Sequence, residues 1–120
     1  MTNHDILLPN IDDRLIQKLI QQLQEAGYRV QTCSPEPQAF YTAAEKMHPE
    51  AVIVDLRTLS GIEAANLLIK LPYKVILLTF HENSYTVAHL KSLGAIAFDG
   101  SAVAELPELL QYYIEMTPDP

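Results

Sequence analysis

In Ala51-Val52-Ile53-Val54-Asp55-Leu56-Arg57, an unbroken apolar run over 51–54, rich in β-branched residues, ends on the carboxylate of Asp55. Continuous apolar character, without alternation, is how a strand reads when a sheet is covered on both faces. Val75-Ile76-Leu77-Leu78 has the same character and ends on Thr79. Shorter runs lie on either side of these two: Ile6-Leu7-Leu8, Tyr28-Arg29-Val30 and Ala95-Ile96-Ala97-Phe98.

Helical patterns fill the intervals. Residues 13–25 place Leu15, Leu19, Ile20 and Leu23 on one face and Gln17, Gln21, Gln22 and Gln24 away from it, with Gly27 as the stop. Ser34-Pro35 predicts the start of a second helix, which ends before Pro49. Ser60-Gly61-Ile62-Glu63 reads as a capping box for the third. Asn83 or Ser84 caps the fourth, which stops at Gly94, and the fifth carries Leu106, Leu109, Leu110, Tyr113 and Ile114 at helical spacing. Strand and helix thus alternate five times. Short connections then imply parallel strands and right-handed crossovers. Five units suit an α/β, flavodoxin-like, doubly wound (βα)5 fold with a five-stranded parallel sheet of order 2-1-3-4-5; a closed barrel would need about eight. Residues 1–116 are expected to form this domain, and 117–120 a short Pro-rich tail.

The chain has 120 residues and 48% hydrophobic side chains, enough for one core without staples. Its single cysteine, Cys33, excludes an internal disulfide and reads as a packing thiol. The formal net charge is −7, and from residue 75 onward Lys91 stands alone against Glu82, Asp99, Glu105, Glu108, Glu115 and Asp119. Such a surface repels phosphate backbones and anionic lipid, so direct nucleic-acid and membrane contact are not expected and a protein partner is. Residues 1–5 are polar, and no stretch approaches the roughly 20 apolar residues of a membrane span, so a cytoplasmic protein is expected. Histidines 4, 48, 81 and 89 have no ligand spacing. No phosphate loop, nucleophile elbow or Cys-His pair is present. No metal, cofactor or enzymatic activity is expected.

Sheets of this order work at the carboxyl ends of their strands. Those ends hold Asn10, Ile11, Asp12 and Asp13 after the first strand, Asp55 after the third, Thr79 after the fourth and Asp99 to Ser101 after the fifth. At these positions the sequence resembles the response regulator receiver domain family of two-component systems, the CheY-like modules of His-Asp phosphorelays. The resemblance spans residues 5–116 and rests on Leu23-Gln24-Glu25-Ala26-Gly27-Tyr28, Pro49 to Arg57, Val75 to Thr79, and Leu93-Gly94-Ala95 leading to Phe98. It implies that Asp55 stands at the phosphoacceptor position, Thr79 at the phosphoryl-contacting hydroxyl and Phe98 at the switch aromatic. It also implies an acidic pair for Mg²⁺ after the first strand, and a Lys followed by a cis-proline after the fifth.

Here the sequence departs from the family. Counted back from Gly27 without a gap, the acidic-pair positions are Asn10 and Ile11; counted forward from Gly94, the Lys is Ser101 and the proline Ala102. The loop after Asp55 is shorter than the family's and lacks its Met-Pro. Mg²⁺ needs hard oxygen ligands, and phosphoryl transfer needs charge neutralisation. A one-turn slip would let Asp12-Asp13 serve instead; the same residues also read as the cap and first turn of the first helix. Asp55 is therefore expected to be vestigial and its Asn variant tolerated, with Thr79 structural. Arg57 either folds back as a substitute cation or extends into water, and the solvated side chain is the expectation.

The reading that follows is a degenerate, pseudo-receiver member acting by protein–protein interaction, without Mg-dependent phosphorylation. The alternatives are a working phospho-receiver on Asp55 and a small-molecule sensor in a crevice around Asn10, Thr58 and Thr79. Partners would be a sensor kinase, an output domain or another signalling protein. The resemblance implies contact through the face of helix 4, strand 5 and helix 5, presenting some of Tyr85, His89, Phe98 and Tyr112 beside Glu108. A homodimer through this face is a further arrangement.

Overall fold

The computed structural model describes residues 5–79 and 84–116, with Val103 and residues 113–116 described by backbone alone. Asn83 as a cap, Tyr113 and Ile114 as core side chains, His4, His81 and the 117–120 tail lie outside that description.

Five strands, β1 (Asp5–Pro9), β2 (Arg29–Cys33), β3 (Ala51–Asp55), β4 (Lys74–Thr79) and β5 (Ile96–Asp99), alternate with α1 (Arg14–Glu25), α2 (Pro37–Met47), α3 (Leu59–Leu68), α4 (Tyr85–Ser92) and α5 (Leu106–Met116). A 3-10 segment, Gly100–Glu105, leads into α5. All strand pairs are parallel, in the order β2-β1-β3-β4-β5. This is the doubly wound, flavodoxin-like α/β fold that the alternation predicts.

Every residue of β3 is buried. Ile53 faces one side with Ile6, Leu8, Ile76 and Leu78, against Ile16, Leu19 and Leu23 of α1 and Leu106 and Leu110 of α5. Val52 and Val54 face the other with Leu7 and Leu77, against Phe40, Ala44, Ala64, Ala65, Leu68 and Leu90 from α2, α3 and α4. A strand's period of two thus feeds two cores, which is why its sequence shows no alternation. Each fully buried Leu or Ile contributes roughly 1.5–3 kcal/mol. On α1, Ile16 joins Leu19 and Leu23 in full burial, while Leu15, Ile20 and Gln22 are half-buried at its flanks.

Two helix starts differ from the sequence expectation. α2 begins at Pro37, not at Pro35. Proline forces the residue before it out of helical backbone, and Glu36 is extended at φ −63°, ψ 133°. Ser34 instead accepts the Glu36 N–H at 3.2 Å. α3 is capped by Thr58, whose Oγ1 accepts the Gly61 N–H at 3.0 Å, and not by Ser60. The cap moves because the connection from β3 is so tight that α3 presses onto the strand end. A Cβ at Gly61 would collide with the backbone carbonyl oxygen of Asp55. α1 and α4 stop where expected, at Gly27 and Gly94, with φ 96° and 108°.

Because the obstacle at Gly61 is backbone, it cannot move aside. Gly61→Ala is expected to lower unfolding free energy by about 2–3 kcal/mol, read as a lower urea midpoint at unchanged slope. A midpoint equal to wild type would show that the α3 start is not wedged against β3.

Candidate functional site

The carboxyl edge of the sheet brings together β1, β3, the amino end of α1 and the β3–α3 loop. Asp55 closes β3 and is 3% exposed. A carboxylate so placed needs a counter-charge, because removing an ion from water costs several kcal/mol (order of magnitude) without one. Arg57 supplies it. Asp55 Oδ1 accepts the Arg57 backbone N–H at 2.9 Å and Nε at 2.9 Å, and Oδ2 accepts Nη2 at 2.8 Å. Nη2 also donates to Asp13 Oδ1 at 3.0 Å. One guanidinium therefore bridges two carboxylates from different elements.

The local sequence explains the geometry. An Asp that accepts the N–H two residues on forms an Asx-turn, which folds the chain back over the carboxylate. The Arg57 side chain starts within that turn, and its planar fork fits a carboxylate side-on. Asp13 is meanwhile the cap of α1: its Oδ1 accepts the Leu15 and Ile16 N–H groups at 2.9 and 3.2 Å. The expectation of a solvated Arg57 is thus corrected, since the turn and the buried charge hold it in place. The visible signal was Asp-x-Arg in a short loop.

The remaining carboxyl-end residues separate. Asn10 is exposed, and its backbone N–H donates to Cys33 O at 2.6 Å. Ile11 packs against the core on the α1 side, and Asp12 is exposed. Of these four residues, only Asp13 is joined to Asp55, through Arg57. Thr79 is 3% exposed and borders a 210 Å³ cavity with Leu56, Ile62, Ser84, Thr86 and Val87. Thr58 Oγ1 is committed to capping α3 through the Gly61 N–H. After β5, the Ser101 N–H and hydroxyl both donate to Asp99 Oδ1 at 2.9 Å. Ser101 therefore turns toward an acid where a receiver would hold a cation. No cis peptide occurs among the described residues.

Electrostatics follow the geometry. The hydrogen bond from Arg57 holds the Asp13 carboxyl below its ordinary 3.8, with the Ile16 and Leu15 N–H groups adding to it against a burial effect that raises it. The bond to Asp55 raises Arg57, so it stays charged. The Ser101 backbone N–H lowers Asp99. Burial pushes the Cys33 thiol up to about 11, consistent with a packing role.

A divalent ion fits this arrangement poorly. Asp13 and Asp55 already converge on one guanidinium nitrogen, and an octahedral Mg²⁺ would require that same space. Among the described residues, no group of three or more His, Cys, Asp and Glu is placed to hold a metal. His48 instead shares a 2.6 Å hydrogen bond with the Tyr73 hydroxyl, between the end of α2 and the approach to β4.

The second area of interest straddles the edge strand β5. On α4, Tyr85 is 85% exposed, and its ring stacks parallel to His89 at 6.3 Å. On α5, Tyr112 is 59% exposed and Glu108 is exposed. Phe98 is buried at 6% in the α1-side core and forms the base of a 370 Å³ groove with Glu105, Glu108 and Leu109. It is a wall of this region, not an exposed contact.

Several known structures of the same shape are receiver domains. The receiver domain protein (CheY-like) from Methanospirillum hungatei JF-1 superposes with a TM-score of 0.79 at 18% identity, covering 96% of each chain. The fold is that of a response regulator receiver domain. The response regulator domain of Thermotoga maritima CheB matches with a TM-score of 0.75 at 17% identity, over 98% of this chain and 100% of that one. The receiver domain of sensor histidine kinase PA1611 from Pseudomonas aeruginosa PAO1, which has magnesium coordinated in its active-site cleft, matches at 0.74 with 24% identity, over 95% and 99%. No protein-family model and no curated protein matches the sequence. No helix among the described residues is long and apolar enough to cross a membrane.

This receiver fold with an internal ion triad carries two consequences for stability. Asp55→Asn removes the buried anion and leaves Arg57 free to reach water, so a loss of about 2 kcal/mol is expected in urea unfolding. An unchanged midpoint would mean that the pair contributes nothing. For Asp13, a pKa depressed in the folded state stabilises above its unfolded value and is lost as pH falls through the folded one. Wild type is therefore expected to lose stability from about pH 4 downward. Asp13→Asn should be less stable at neutral pH and show a shallower acid slope; parallel profiles would remove Asp13 from the triad.

Proposed function

We propose that the chain is a receiver-fold signalling module of the pseudo-receiver kind. It acts in bacterial signal transduction through protein–protein contact, is not an enzyme, and does not accept phosphate on Asp55 by a Mg²⁺-dependent reaction. The observation that carries this reading is the Arg57 guanidinium lying across Asp55 and Asp13. A nucleophilic carboxylate must present a free oxygen in line with an incoming phosphoryl group, and a metal must neutralise the charge that develops. Both Asp55 oxygens accept from Arg57, and the position after β5 offers the Ser101 hydroxyl turned onto Asp99. The fold and the acidic, tyrosine-bearing edge support a signalling role read by another protein, whether a sensor kinase, an output domain or a second copy.

Phosphorylation is tested by incubation with acetyl phosphate and Mg²⁺, followed by intact mass, and by beryllofluoride with amide NMR. No added phosphoryl mass and no shift at Asp55 are expected. Labelling that disappears in Asp55→Ala would establish the phospho-receiver alternative.

The contact face is tested separately. A module without a phosphate-driven population shift must be recognised in its standing conformation. Exposed tyrosines are common interface anchors, and clustered acid favours a basic partner. With a partner captured from the native cell, Tyr112→Ala and Glu108→Lys are expected to weaken binding at least about tenfold, a loss of roughly 1.4 kcal/mol, with circular dichroism unchanged. Normal binding by both would move the interface away from α4, β5 and α5.

A further inference from the structure

The geometry points to Arg57 as a tethered cation that replaces a divalent ion structurally: it fastens the amino end of α1 to the carboxyl end of β3, and its removal would open a Mg²⁺ or Mn²⁺ site between Asp13 and Asp55. The inference deepens the reading above and rests on it for the view that wild type uses no ion there.

Three observations lead to it. First, Nη2 alone is shared by carboxylates from two elements, at 2.8 Å from Asp55 and 3.0 Å from Asp13. Two anions converging on one point are what a cation site requires, whatever the cation. Second, both carboxylates are held by contacts other than the guanidinium. Asp55 is fixed by burial and by the Arg57 N–H, while Asp13 is fixed by capping α1, so neither can turn away when the guanidinium is lost. Third, among the described residues two carboxylates face one guanidinium. Without Arg57 the repulsion between them is relieved by protonation, by separation of α1 from β3, or by an ion from solution. One or two carboxylates completed by water are an ordinary Mg²⁺ set. Charge on Asp13 also favours its capping role, since an anion suits a helix amino terminus.

Arg57→Gln keeps the length of the side chain and removes the charge. Thermal unfolding of the full chain, followed by circular dichroism, is compared in EDTA, in millimolar Mg²⁺ or Mn²⁺, and in NaCl of matched ionic strength. Wild type is expected to unfold at the same temperature in all three. Arg57→Gln is expected to melt several degrees lower in EDTA, about 5 °C or more. It should recover at least half of that loss with either divalent ion and not with NaCl. Adding Asp13→Asn should abolish the recovery.

If Arg57→Gln does not fold in EDTA but folds with the ion, the inference holds in stronger form. If it stays unfolded in both, melts like wild type in EDTA, or gains no more from the divalent ions than from NaCl, the inference is overturned. Recovery that survives Asp13→Asn overturns it too, because the ion would then lie elsewhere. These arms fail independently of the proposed function, which falls instead on phosphoryl labelling of wild-type Asp55.

Discussion

A strand covered on both faces has no route to water except at its ends, and β3 ends on an acid. Asp55 is as buried as the apolar residues before it. Carboxylates in that position are stable only when every oxygen is engaged and a positive charge is close. The β3–α3 connection is shaped by that demand. The Asx-turn folds Arg57 over Asp55, Thr58 caps the helix that starts at once, and Gly61 lets its first turn press onto the Asp55 carbonyl.

The same guanidinium couples this loop to the opposite side of the crevice. By reaching Asp13 it joins the cap of α1, so the helix that buries Ile16, Leu19 and Leu23 is anchored to the strand it packs on. Between β1 and β3, the sheet's carboxyl edge, where open α/β sheets usually meet ligands, is thereby bridged by the protein's own side chains. A charge network that would ordinarily be completed from solution is completed within the chain. On the proposed reading, a signal passes through a surface instead of through a reaction at Asp55.

The surface proposed for contact lies at the β5 edge. α4 and α5 pack on opposite faces of the sheet, through Leu90 on one side and Leu106 and Leu110 on the other. Their exposed residues flank β5, with the Tyr85–His89 stack on α4 and Tyr112 and Glu108 on α5. Phe98 underlies this region from the core. Rigid aromatic groups beside carboxylates provide contact area and a charge preference together.

Sequence alone determined the fold. Unbroken apolar runs at 51–54 and 75–78 fixed the interior strands, because a two-sided core leaves no polar alternate. The spacing of helices between them left one economical topology. It also determined that the position where the resemblance implies a Lys holds Ser101, since that is a matter of identity and not of conformation. The start of α4 was legible to within a residue, because its two capping candidates, Asn83 and Ser84, are adjacent. At α2 and α3 the starts expected at Pro35 and Ser60 moved to Pro37 and to a Thr58 cap, because the choice depended on backbone strain and on the approach of Asp55. Only the tertiary structure decided the fate of Arg57. Its two carboxylate partners are two and 44 positions away in the chain. Whether an arginine extends into water or turns inward depends on a buried charge and a helix cap meeting in space, which no local pattern records.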